Sequence, residues 1–92
     1  MKIIDNLKNE LDDFTIYDNY IQNSSINGAP IEYILIGINN HYYALSHLKH
    51  YVICEIEKPE RDAYMVGPTS FYSRKGIIEY LRKLRILVKW KS

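Results

Sequence analysis

Ninety-two residues leave room for one domain, residues 1–92, and an apolar fraction of 47% is too high for a disordered chain. The longest apolar run, Tyr33 to Ile38, falls far short of the ~20 residues a membrane span needs, and a single cysteine, Cys54, excludes an intramolecular disulfide. The formal charge of +1 conceals a division: residues 73–92 hold seven of the twelve basic residues against one acid, a local +6, while the residues before them sum to −5. The opening Met-Lys-Ile-Ile-Asp-Asn-Leu-Lys lacks the apolar core of a secretory signal, so the expected setting is the reducing cytoplasm, away from membranes.

Ile3, Ile4, Leu7, Leu11 and Phe14 fall at helical spacing and predict an amphipathic helix over Lys2 to Asp12, ending where Asp12 and Asp13 oppose the helix dipole. Phe14 to Ile21 reads as a first strand, and Asn27-Gly28 as the turn of the loop that follows. Ile31 to Ile38 is apolar almost throughout, the mark of a central strand. Asn39-Asn40 tolerates positive φ and predicts a tight hairpin into His41 to Leu45.

His50 to Glu57 alternates Val52, Cys54 and Ile56 with Tyr51, Ile53 and Glu55, a further strand. Lys58 to Asp62 reads as a polar turn, and Ala63 to Val66 as a short edge strand before the Gly67-Pro68 break. Thr69, Ser70 or Ser73 can cap a helix running through Leu84, with Phe71, Ile77, Ile78, Leu81 and Leu84 toward the sheet. Ile86 to Trp90 reads either as a final strand or as an extension of that helix. The expected fold class is α+β: an N-terminal helix, an antiparallel meander of four to five strands, and a C-terminal helix packed on one face.

Several side-chain groups can carry function. Arg74, Lys75, Arg82, Lys83, Arg85 and Lys89 place cations along the C-terminal helix, where they can meet phosphates or an acidic protein surface. Among the nine tyrosines, Tyr42 and Tyr43 would point to opposite faces of a strand, so at least one lies solvent-side. With Tyr72 they make candidate anchors for a protein interface, since Tyr gives contact area at low entropic cost. Glu55, Glu57, Glu60 and Asp62 form an acidic stretch suited to a basic partner. His47, His50 and Cys54 supply three metal ligands where a structural zinc site wants four, and Cys54 sits in an apolar strand, so neither a metal nor a cofactor is expected. No phosphate loop, nucleophile elbow or paired CxxC occurs, so a non-catalytic protein is expected.

Usage skewed toward Ile, Tyr, Lys and Asn, with A/T-rich codons, points to a low-GC bacterium or its phages and plasmids. In size, usage and helix–sheet–helix layout the chain resembles small phage or mobile-element inhibitors of host defence complexes, anti-CRISPR proteins among them, a likeness of general character that carries no residue pattern. It implies a binder of a protein partner such as a nucleic-acid-processing complex. Two alternatives stand beside it: a DNA- or RNA-binding accessory protein using the basic segment, and a ribonuclease-type toxin relying on His47 or His50. Self-association through an exposed strand edge is compatible with all three.

Overall fold

The computed structural model describes residues 2–91, and side chains over residues 3–88. The elements run α1 (Lys2–Asn6), β1 (Thr15–Asn23), β2 (Pro30–Ile38), β3 (His41–His47), β4 (Tyr51–Ile56), β5 (Ser70–Tyr72) and α2 (Arg74–Lys91). The strands form one antiparallel sheet in chain order, and both helices belong to the same face, which gives the expected α+β layout.

Two turns set the register. Asn39 (φ 48°) and Asn40 (φ 64°) occupy the left-handed region that a two-residue hairpin turn between β2 and β3 requires. Gly28 (φ 70°) closes the β1–β2 loop, where Ser24 N–H donates to the Ala29 carbonyl at 2.7 Å.

The helix-bearing face contributes Ile34 and Ile36, Tyr43 and Leu45, and Tyr51 and Ile53 to the core. Ile77, Leu81, Leu84 and Val88 of α2 cover it from one side and Ile3, Leu7, Leu11 and Phe14 from the other. Glu32, buried at this face, accepts from Ile3 N–H (3.1 Å) and from Asn19 Nδ2 (3.1 Å), so one carboxylate ties the chain's beginning to β1 and β2.

Three expectations are corrected, and one left open is decided. α1 ends at Asn6 instead of Asp12; beyond it the chain is a series of turns that still holds Leu11 N–H on the Leu7 carbonyl at 3.0 Å, so the apolar spacing survives where the regular helix does not. Ala63 to Val66 is not a strand but an isolated bridge, Met65 to Ile56, and the fifth strand is Ser70–Tyr72. Phe71 therefore leaves the helix, because Ser73 takes the cap: Gly76 N–H donates to Ser73 Oγ at 3.2 Å and Ile77 N–H to its carbonyl at 2.9 Å. Of the two alternatives for Ile86 to Trp90 the helix extension holds: the segment continues α2, and Val88 extends the buried stripe one turn beyond Leu84.

The other face has its own packing. A bulge at Tyr17 turns that ring over Gly37 to meet Tyr42 edge-on, centroids 5.7 Å apart. A Cβ added at Gly37 would stand 2.8 Å from ring atoms of both tyrosines. Gly37→Ala is therefore expected to cost about 1–3 kcal/mol as both rings are pushed aside, read as a lowered urea midpoint with an unchanged m-value.

Candidate protein-binding surface

The basic segment is largely committed within the chain. Arg74 donates to the Asn6 carbonyl at 3.0 Å, Arg82 to Glu10 Oε1 at 2.9 Å and Arg85 to Asp13 Oδ2 at 3.2 Å. Arg74 and Arg82 remain exposed while making these contacts, Arg82 at 60%, so the same cations face solvent and hold the N-terminal segment. Lys75 and Lys83 are exposed. The Lys89 side chain lies outside the described residues.

Most tyrosines serve packing. Tyr43 is 3% exposed and belongs to the core, which removes it as a contact residue, while Tyr42 is half-buried on the opposite face. Tyr72 stacks on Tyr80, centroids 5.1 Å apart, and Tyr20 on Tyr33 at 5.2 Å. His47 stacks on Tyr51 at 4.2 Å, and His50 is exposed. Tyr64, at 78%, is the most exposed tyrosine.

The face opposite the helices carries the surface that sequence reasoning missed. Strand pairing aligns Tyr20, Tyr33, Ser46, Val52 and Phe71 in one transverse row across all five strands. At the β5 end the row borders a groove of ≈ 230 Å³ lined by Ile31, Ser46, Leu48, Val52 and Phe71 together with Lys49 and His50. Phe71 is 69% exposed, unusual for a phenylalanine on a sheet. The available signal was β4 itself: with Tyr51 and Ile53 facing the helices, Val52 and Cys54 on the other side should have been polar if that face were merely solvated.

The other half of this face is covered by residues 57–66. Glu57 N–H donates to the Tyr64 carbonyl (3.0 Å) and Val66 N–H to the Glu55 carbonyl (2.9 Å), making a hairpin that extends β4. Its tip reaches the far edge strand: Arg61 Nε donates to Asp18 Oδ2 at 2.7 Å, and its guanidinium lies 4.1 Å above the Tyr20 ring. Leu35 and Ile56 are buried on this side.

On the helix-bearing face, His41 Nδ1 lies 3.2 Å from Glu55 Oε2; a carboxylate can only accept, so Nδ1 carries the proton. Burial raises the Cys54 thiol above its ordinary value, partly offset by a backbone hydrogen bond at Ala44, which suits an unreactive group. Among the described residues no three His, Cys, Asp or Glu side chains are grouped to hold a metal, and no helix is long and apolar enough to cross a membrane. Comparison with protein-family models, curated proteins and solved structures finds no match to this chain.

The Arg61 hydrogen bond holds the Asp18 carboxyl below the usual carboxylate range. A depressed folded-state value means that this contribution to stability is present above the ordinary pKa and is lost as pH falls through the lowered one. Arg61→Ala should move the Asp18 carboxyl back up, seen in a carbon-13 NMR titration, and shrink the acid-side loss of stability. An unmoved Asp18 would show that the hairpin tip is not fastened there.

Proposed function

We propose that this chain is a small non-catalytic binding protein that docks on a protein partner through the uncovered half of its sheet. The observation that carries the reading is the Phe71 groove, an apolar surface at a sheet edge on the half of this face that the hairpin leaves uncovered. Water-exposed Phe71 and Leu48 gain most when a partner covers them, and an aromatic seated in a partner's pocket is the usual anchor of such an interface.

The partner class follows from charge. Glu57 and Asp62 are exposed on the hairpin, where Lys58 pairs with Glu60 at 3.3 Å, and the three arginines of α2 hydrogen-bond to the N-terminal segment. The surface left for a partner thus favours a basic protein, and nucleic-acid channels are basic. This supports a phage or mobile-element inhibitor that occupies such a channel in a host defence complex, acting in the cytoplasm by covering a surface. Direct phosphate binding is the second reading, carried by the exposed Lys75 and Lys83 and by Arg82, which stays 60% exposed in its pair with Glu10.

Wild-type protein used as bait in a low-GC host lysate should capture a nucleic-acid-processing complex, and Phe71→Glu should capture none of it while its thermal unfolding stays within a few degrees. Equal capture by both proteins would move the interface away from the groove. Labelled DNA and RNA should show flat anisotropy at about 50 and 200 mM salt; binding at the lower salt that collapses at the higher would return the function to phosphate contact.

A further inference from the structure

Where β3 and β4 meet the second half of α2 there is a cleft of ≈ 250 Å³. His41, Tyr43 and Glu55 come from the sheet, Tyr80 and Leu87 from the helix, and Gly67-Pro68 closes the outer side. The volume lies below the roughly 300–1,000 Å³ of pockets that enclose whole small-molecule ligands, and suits a single side chain.

Its electrostatics have one sign. Burial is the first cause that raises the Tyr43 hydroxyl far above the ordinary phenol value, and the Glu55 charge is the second. The Tyr80 hydroxyl is raised by burial, then by Tyr72 and Glu55. Both phenols therefore remain neutral near pH 7, and each stands in the field of one carboxylate. Among the described residues the Glu55 side chain has one hydrogen-bond partner, His41, and it is 39% exposed. An ionised carboxylate has about four acceptor positions, so most of its capacity is left for a ligand.

We propose that the cleft receives the guanidinium of an arginine presented by a basic partner protein, hydrogen-bonded to Glu55 and lying along Tyr80. The assignment rests on the protein-binding reading above and names one contact that such a partner would make. Arginine fits better than lysine, because its planar fork matches a carboxylate and stacks on an aromatic ring. The apolar lining from Ile53, Leu84 and Leu87 suits the methylenes of the same side chain. A phosphate group would instead face Glu55 directly. Lys83, one turn past Tyr80 on α2, is exposed and does not line the cleft.

The test uses nitrogen-15-labelled protein titrated with N-acetyl-arginine methylamide and, separately, with its citrulline analogue, which keeps the shape and loses the charge. The arginine probe should give saturable shifts at the amides of His41, Glu55, Tyr80 and Leu87, and the citrulline probe none. Glu55→Gln should weaken binding by about tenfold or more, as expected for a lost charged hydrogen bond. Asp12→Asn, which removes the same charge far from the cleft, should bind as wild type. Absent shifts, equal response to citrulline, unchanged affinity in Glu55→Gln, or the same shifts from inorganic phosphate would each overturn the proposal. No partner enters the titration, so an empty cleft beside a Phe71-dependent partner would overturn this assignment alone and leave the docking face standing.

Discussion

An open sheet of five strands has two faces to remove from water, and this chain has one long helix, α2, with which to do it. That shortage shapes the rest of the molecule. The α2 stripe of Ile77, Leu81, Leu84 and Val88 spans only part of one face, so Ile3, Leu7, Leu11 and Phe14 are needed beside it. On the opposite face the tyrosines and the 57–66 hairpin substitute for a second layer, covering Leu35 and Ile56 but stopping short of Val52 and Phe71. A core that would be completed by another element in a larger protein is here left half open at one edge, which is where a partner gains most by adding its own surface.

The split charge has a similar explanation in packing. An N-terminal segment of short helix and turns has little regular structure of its own to fix its position. Arg74, Arg82 and Arg85 reach it at three successive points, Asn6, Glu10 and Asp13. Exposed ion pairs of this kind contribute only about 0–1 kcal/mol each. Their effect is to orient: they hold the segment alongside α2 while the burial of Leu7, Leu11 and Phe14 supplies the free energy. Arg82 and Arg85 thus meet the chain's own acids, and that part of the charge asymmetry closes on itself in space.

The order of elements was legible because local chemistry dictated it. Asn39-Asn40, Asn27-Gly28 and Gly67-Pro68 mark backbone breaks that almost any fold would respect. The first helix was overextended because apolar spacing persists through Leu11 and Phe14 even though the backbone there is turns, and periodicity reports which side chains are buried rather than which hydrogen bonds form. Phe71 was assigned to the helix because three capping residues stood in line, and only the fold shows that Ser73 is the one used. Among the site residues, Lys75 and Lys83 are exposed as their composition suggests, but Tyr43 and the arginines depend on long-range partners such as Glu10 and Asp13 that no local pattern announces. The His41–Glu55 pair escaped for the same reason: the two residues share a face only through the β3–β4 register.

That register also places the two candidate contacts close together. Val52 and Phe71 present the apolar groove on one side of the β4–β5 edge, and Glu55, three residues along β4 from Val52, opens into the cleft on the other side. A partner that wraps this edge can engage both faces at once. The whole chain exposes 6194 Å², so a standard interface of ~800 Å² on this partner would take roughly an eighth of it. Area alone does not set affinity; anchors already held in position do. Tyr80 is fixed by stacking on Tyr72, Glu55 is oriented by His41, and Phe71 stands on a paired strand. The Glu55 and Tyr80 side chains and the Phe71 backbone are thus held by the fold before a partner arrives, which lowers the ordering cost that a flexible surface of the same composition would bear on binding.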